Sequence, residues 1–509
     1  MLSITDPHPF APCPAPFNLA AYVLAEGASA PDRIALQVLG LTGAGRWSYA
    51  ALIRAVRGIG TGFLQAGFPP GARVLMRLGN TVDFPLVFLG AIAAGLVPVP
   101  TSAQLSAPEI TAMAAGLDPA LVVAAPGIAL PDHPAPTLSA QTLRGWHALA
   151  PCDWDMGSPD RLAYMIFTSG SSGRPRAVMH AHRAVWARRM MWQGWYGLTP
   201  QDRLLHAGAF NWTYTLGTGL MDPWAIGATA LIPEAGVEPA QLPLLLKRFD
   251  ATILAAAPGV YRQLLKAPVP VLPRLRHALS AGEKLADPVR DTWVKATGTP
   301  IYEALGMSEV STYVSASPAR PAPEGAAGYA QPGRRVAVLD AEGAPVPRGT
   351  PGELAVGADD PGLFLGYWRA GDETRARLRD GWFLTGDTAL MEGDGAIRYL
   401  GREDDMLNAG GFRVSPLEVE RAFDAHPGVQ ESAAVELTMR EGVSVIGLFY
   451  VPRTAPLNDE ELATHAAATL ARYKQPRLYT ATDRLPRGAN NKLNRRWLRE
   501  NRHAPTPGQ

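Results

Sequence analysis

The chain has 509 residues, longer than one hydrophobic core normally serves, so two or more domains of about 100 to 200 residues each are expected. Its 47 Lys and Arg against 46 Asp and Glu set up no global field for nucleic acid or an anionic membrane, and 47% apolar residues are ample for packed cores. Cys13 and Cys152 are too few for a disulfide framework and lack metal-ligand spacing with the ten histidines, which points to a cytoplasmic chain whose fold needs no metal. The N-terminus has no basic segment followed by an apolar core, hence no signal peptide. The longest apolar run, 84–100, carries Pro85, Gly90, Gly95, Pro98 and Pro100 and reads as a buried helix feeding a buried strand, with no membrane span.

From residue 18 to about 150, helix-like and strand-like segments alternate: strand 35–38, helix 49–66, strand 73–78, helix 83–95, strand 97–100, then a proline-rich loop at 124–136. This alternation predicts an α/β fold with mostly parallel sheets flanked by helices. Residues 162–167 (LAYMIF) form a buried strand that delivers TSGSSGRPRAV, 168–178. Glycines there let the backbone approach a ligand, Thr168, Ser169, Ser171 and Ser172 offer hydroxyls, and Arg174 and Arg176 offer charge. Local composition leaves two readings open, a surface loop and a phosphate loop; the lysine of G-x-x-x-x-G-K-[ST] is absent.

Helical character follows at 184–194, and 202–224 is rich in aromatics that read as core or as the wall of an apolar pocket. Strands are expected at 251–256, ended by Pro258 and Gly259, and at 277–280; 316–330 reads as an exposed loop. Residues 380–399 are hairpin-rich and 401–413 polar and flexible, with a boundary at 402–405. Beyond it, helix 416–423, strands 431–437 and 443–451 and helix 460–471 make an α+β unit of about 100 residues. Glu309 and Asp387 fall in expected turns, where a carboxylate can hold Mg²⁺ or a ribose diol, and Lys492 lies in a Gly/Asn-rich turn suited to delivering charge. Singly, each also reads as an ordinary surface or capping residue.

Five motifs in order change that: TSGSSGRPRAV, LGMSE (305–309), TGD (385–387), GREDDMLNAGGFRVSPLEVE (401–420) and LPRGANNKL (485–493). With them the chain, over roughly 71–496, resembles the adenylate-forming superfamily of acyl- and aryl-CoA ligases, adenylation domains and luciferases, and within it benzoate-type CoA ligases. The resemblance implies a large domain, 1–401, that binds ATP and the acid, a hinge at 402–405 with Asp404 as its pivot, and a small mobile domain, 406–509, carrying Lys492. It implies that Thr168, Ser169, Gly170, Ser171, Ser172, Gly173 and Arg176 hold the ATP β- and γ-phosphates, that Glu309 binds Mg²⁺ beside Ser308, and that Asp387 and Arg402 grip the ribose. Gly282, Glu303, Ala304 and Leu305 would frame adenine, Gly410 and Gly411 would line the channel for coenzyme A, and Lys492 would stabilise the adenylation transition state, with Glu309 and Arg176 assisting.

The acyl pocket is expected from Phe210, Trp212, Tyr214, Ala257, Pro258, Ala281 and Gly306; it is apolar and lacks an Asp for an α-amino group, so a small aromatic, alicyclic or medium-chain acid is expected. Departures from the family pattern are Arg176 where lysine is common, Leu305 where an aromatic residue is frequent, and Asn491 in place of glycine; none removes a required charge. With no carrier domain after residue 509, the expected activity is ATP-dependent acyl-CoA synthesis through an acyl adenylate, releasing pyrophosphate and AMP. A stand-alone enzyme loading a carrier protein and a non-catalytic nucleotide-binding regulator are the alternatives. Expected partners are the acid, ATP and CoA, without nucleic acid; a homodimer is left open.

Overall fold

The structure, a computed structural model, describes all residues except 6, 8, 9, 170–174, 410, 411, 441, 442, 489–492 and 502–509, and the backbone alone of 169, 404, 408, 409, 412, 413, 440 and 443. The alternating N-terminal pattern folds as read. The helix Tyr49–Gln65 buries Leu52, Val56, Ile59 and Phe63, spaced three and four residues apart, and the Ser48 side chain caps it by accepting from the Ala51 amide at 3.2 Å. The helix Asp83–Ala93 is buried on every side and feeds the buried strand Val97–Pro100, which accounts for the apolar run without a membrane. Among the described residues no helix is long and apolar enough to cross one.

The large domain holds four sheets. A nine-stranded sheet has at its centre the parallel strands Ile34–Leu39, Thr229–Pro233, Arg203–His206, Ile253–Ala256, His277–Ala281 and Ile301–Met307, with antiparallel strands at both edges. A four-stranded sheet built on Arg73–Arg77 is wholly parallel. The other two are antiparallel: a three-stranded sheet of Leu162–Ser169, Pro175–Ala181 and Gly366–Tyr367, and a six-stranded sheet containing Trp382–Met391 and Ile397–Arg402. The small domain has its own core, in which Leu407, Val414, Val419, Phe423 and Leu448 are buried between the helices Pro416–Asp424 and Asp459–Thr469 and the strands Val429–Arg440 and Val443–Pro452. The fold is thus α/β, a large N-terminal domain with a small α+β C-terminal one.

Several local expectations are corrected. Asp387 is not in a turn: the strand Trp382–Met391 runs through it, because Ile397–Arg402 pairs along that length, and Gly386 at φ +73° absorbs the local kink. The segment expected to be polar and flexible forms the paired strands Leu407–Ala409 and Phe412–Val414, since Leu407 and Val414 face each other and are buried. Pro258 and Gly259 do not merely end a strand; Pro258 opens the helix Pro258–Leu264, where its missing amide hydrogen costs nothing. The stretch at 184–194 breaks after the short helix Ala184–Ala187, and a π-helical turn, Trp192–Tyr196, follows. Residues 316–330 are exposed only in the middle; Ala316, Ser317, Ala326 and Ala327 are buried and Tyr329–Ala330 is an edge strand.

Deep in the large domain Arg188 and Asp222 form a two-armed ion pair, Nε to Oδ1 at 2.8 Å and Nη2 to Oδ2 at 2.6 Å, and Asp222 also accepts from Tyr196 Oη at 2.8 Å. Asp222→Ala leaves the guanidinium buried without its counter-charge and should cost about 3–5 kcal/mol. A urea midpoint for the large domain unchanged from wild type would contradict this.

Burial also holds four imidazoles neutral. The pKa values of His180, His182 and His206 are pushed down to about 3 and that of His277 to about 4, with burial the largest cause in each. Unfolding frees them to protonate near pH 6.5, so below that pH the unfolded state binds more protons and the large domain loses about 1.4 kcal/mol per pH unit for each imidazole. In the small domain burial raises Asp424 to about 7, so there the native state binds more protons between pH 4 and 7 and acidification stabilises it. Hydrogen exchange at pH 7 and pH 5 should show protection falling in the large domain and rising around Asp424; a shift of the same sign in both would contradict the assignment.

Candidate active site

Gly282, Glu303, Ala304 and Leu305 lie toward the carboxyl ends of two central parallel strands, where open α/β sheets place ligands. His277–Ala281 and Ile301–Met307 lie side by side with Ala281 opposite Ala304, so Gly282 follows directly beside the row Glu303, Ala304 and Leu305. Gly282 is required by both backbone and space: its φ is +100°, and a Cβ there would lie 2.7 Å from Trp212 Cζ2. The Glu303 side chain turns away from that edge and anchors the loop beyond Gly282, accepting from the Leu285 amide at 2.9 Å and from Lys284 Nζ at 3.3 Å, and pairing with Arg290.

Asp387 and Arg402 are direct partners across two antiparallel strands, and Arg402 Nη1 donates to Asp387 Oδ1 at 3.1 Å. Burial opposes the Arg402 charge, but the adjacent Asp387 carboxylate outweighs it and holds the guanidinium pKa above its ordinary value. Asp387 Oδ2 accepts from Tyr313 Oη at 3.3 Å, and Tyr313 stands on Ser311–Ser315, the strand paired antiparallel to Ile301–Met307. One hydroxyl therefore joins the Asp387–Arg402 pair to the strand bearing Glu303, Ala304 and Leu305.

A second tyrosine joins the other half. Tyr367 donates to Glu309 Oε1 at 2.7 Å, and its ring centroid lies 5.4 Å from the Arg176 guanidinium carbon. Arg176 Nε is also 2.5 Å from Glu373. Burial and the Glu309 charge raise the Tyr367 pKa, so the phenol stays protonated and donates. Thr168 pairs with Arg176 across the antiparallel strands Leu162–Ser169 and Pro175–Ala181, so the two ends of the phosphate-loop motif lie on paired strands. Gly170, Ser171, Ser172, Gly173, Gly410, Gly411 and Lys492 lie outside the described residues, as do the side chains of Ser169 and Asp404; the backbone of Asp404 lies in the short 3₁₀ turn Glu403–Asp405. Ser308, half-buried, sits in the turn before Glu309.

The aromatic stretch divides. Trp212 and Tyr214 pack edge to face at 5.2 Å in one cluster with Ala281 and Ala304, next to Gly282. Phe210 is not with them: it is buried against Phe84, centroids 5.1 Å apart, in the core of the N-terminal segment. Ala257 caps and Pro258 starts the helix after Ile253–Ala256. Gly306 is explained by backbone packing at a β-bulge, since a Cβ would lie 2.6 Å from the Ser311 oxygen and the Thr312 Cα. Behind Tyr214, at 4.4 Å, lies His206, fully buried with neither ring nitrogen hydrogen-bonded among the described residues. The two linking tyrosines were not in the expected set. Their partners are 74 and 58 residues away, a separation that leaves no local pattern.

Residues 24–368 match the AMP-binding enzymes, and residues 418–492 match the C-terminal domain of AMP-binding enzymes. A 3-hydroxybenzoate–CoA ligase of Aromatoleum sp. (strain CIB) is 30% identical over 485 residues, 90% of this chain and 92% of its own. Benzoate–CoA ligase of Thauera aromatica is 29% identical over 486 residues, 90% and 91% of the two chains. The crystal structure of ATP-bound MatB from Rhodopseudomonas palustris is similar with a TM-score of 0.86 at 26% identity, over 95% of this chain and 99% of that one. The chain therefore belongs to the AMP-binding enzymes of the adenylate-forming superfamily and is an acyl-CoA synthetase, joining a carboxylic acid to CoA with ATP.

Proposed function

We propose that the acid is a small aromatic carboxylic acid, with alicyclic and medium-chain acids as weaker substrates, activated as an acyl adenylate and then passed to CoA. The observation that carries this is the Trp212–Tyr214 cluster against Gly282: it is aromatic and apolar, and the carboxylate that reaches it, Asp222, is already held by Arg188 and Tyr196. Nothing there is left to bind an α-amino group among the described residues. The ligases of Aromatoleum and Thauera, named for 3-hydroxybenzoate and benzoate, support the aromatic choice.

In the first step the ionised carboxylate attacks the ATP α-phosphorus, the bond to the bridging oxygen breaks, and pyrophosphate leaves with the electron pair. No general base is needed, because the nucleophile is already an anion; the barrier is charge repulsion and orientation. Asp387 and Arg402 hold the ribose, while Gly282 and the backbone of Glu303, Ala304 and Leu305 frame adenine. Thr168 and Arg176 hold the β- and γ-phosphates with residues 169–173, and the phosphates compete with Glu373 for Arg176. Lys492 neutralises charge at the bridging oxygen. In the second step the CoA sulfur bonds to the acyl carbon, AMP leaves, and the thiol proton passes to solvent; Asp404 serves as the hinge on which the small domain turns, and Gly410 and Gly411 line the thiol channel.

Glu309 fits Mg²⁺. It is one buried carboxylate that gives Oε1 to Tyr367 and keeps further lone pairs, and one or two carboxylates are the usual protein share of an ion that also binds phosphates. No group of three or more His, Cys, Asp or Glu is placed to hold a metal among the described residues, in keeping with an ion that arrives with the nucleotide. When bound, Mg²⁺ supplies positive charge against the leaving pyrophosphate.

A panel of acids with ATP and CoA, read by pyrophosphate release, tests the substrate class. Benzoate and hydroxybenzoates should exceed malonate and amino acids in kcat/KM by about tenfold or more, as an apolar pocket discriminates; fastest turnover of an amino acid or a dicarboxylate would overturn it. Lys492→Ala should lower acid-dependent exchange of pyrophosphate into ATP by about a hundredfold or more, the loss expected of one transition-state donor. Thioester formation from preformed acyl adenylate should persist in that variant; equal loss of both steps would show the lysine is misassigned.

A further inference from the structure

Four partly buried charges meet where the two domains touch. Arg262, in the helix Pro258–Leu264, and Glu283, the neighbour of Gly282, come from the large domain; Glu431, in the strand Val429–Arg440, and Arg487 come from the small one. Arg487 Nη1 lies 3.5 Å from Glu283 Oε2, and its Nη2 lies 2.6 Å from Glu431 Oε2. Arg262 lies 3.5 Å from Glu283 Oε1 and 4.0 Å from Glu431 Oε2. The side chains are 18–24% exposed, so the pairs are shielded from solvent without being sealed.

Geometry ties this quartet to the chemistry on both sides. Arg487 and Leu493 pair as an isolated antiparallel bridge, and Lys492 is the residue next to Leu493 in the sequence. On the large-domain side, Glu283 is one residue from the glycine that Trp212 abuts, and the following segment is fixed by Glu303 through the Leu285 amide. A second contact reinforces the seat: Arg421 of the small domain lies 2.8 Å from Asp287 and 2.7 Å from Glu324.

We propose that Glu283 and Arg487, backed by Arg262 and Glu431, are positioning residues for adenylation, seating the small domain that carries Lys492 against the loop that borders the acid pocket. The quartet is built to separate. Arg262–Glu283 lies within the large domain and Arg487–Glu431 within the small one, so on undocking each domain keeps a neutral pair and no charge is stranded. The inference rests on the reading that Lys492 acts in the first step.

Glu283→Gln and Arg487→Gln, checked for native circular dichroism, test it. Each should lower kcat for acid-dependent pyrophosphate exchange about two- to fivefold, with KM for acid and ATP little changed, the size expected for losing a partly exposed ion pair. The double variant should be no worse than the poorer single one, Arg487→Lys should restore most of the rate, and the rate should be less sensitive to salt in the Gln variants than in wild type. Thioester formation from preformed acyl adenylate and CoA should be unchanged or faster. Unchanged exchange in both single variants, while Lys492→Ala still abolishes it, would overturn the seating role alone; equal loss of both steps would overturn it as general damage. Exchange surviving in Lys492→Ala would instead overturn the role given to the lysine.

Discussion

Two tyrosine hydroxyls hold together parts of the large domain that no shared sheet connects. Tyr313 stands at the edge of the nine-stranded sheet and donates to Asp387 in the six-stranded one; Tyr367, in the three-stranded sheet, donates to Glu309 in the turn after Ile301–Met307. Both acceptors are buried carboxylates, and a buried carboxylate without a donor costs about 1–3 kcal/mol or more. Each hydroxyl therefore favours the sheet packing that keeps it in reach of its carboxylate, and backbone bonds from the Phe364 amide to the Glu309 oxygen and from the Ile397 amide to the Gly328 oxygen join the same sheets.

Charge is arranged by depth. Arg188–Asp222 and Arg334–Asp360 are sealed in the interior, where each charge is neutralised by its partner and further hydrogen bonds, such as those of Tyr196 to Asp222 and Gly362 to Asp360, hold the pair in place. Nearer the surface, Asp387–Arg402 and Arg176–Glu373 retain some exposure. Between the domains the pairs are again partly exposed on both sides, as at Arg421–Asp287 and Arg487–Glu431.

Much of this was legible in the sequence where the pattern is local. Helix and strand periods placed five elements between residues 34 and 100 to within two residues, and the strand before the phosphate-loop motif came out as read, but the helix Leu19–Ala28 and the strand Ala44–Ser48 went unread. What failed depended on partners far along the chain. Asp387 looked like a turn residue because Gly386 precedes it, yet a strand from Ile397 to Arg402 pairs straight through it. The polar run after Asp405 hides two apolar residues, Leu407 and Val414, that meet only when the run folds back on itself. Phe210 belongs with aromatics by composition but with Phe84 by packing, and Trp212, two residues on, turns the other way toward Gly282. Neither linking tyrosine has a motif of its own, since a buried phenol is ordinary until its acceptor is known.

The choice of ion pairs for the domain contact follows from what such a contact must do. Apolar surface of similar extent would favour the docked state by roughly 25 cal/mol for every Å² covered and would be exposed to water whenever the domains parted. Ion pairs at partial exposure contribute about 0.2–1 kcal/mol each, enough to define orientation and too little to trap it. Because Arg262 and Arg487 each keep a glutamate on their own side, docking exchanges partners among four charges without creating or removing an unpaired one. Orientation is thereby specified by geometry while the free-energy difference between docked and undocked states stays small, which is the condition for two half-reactions to share one mobile domain.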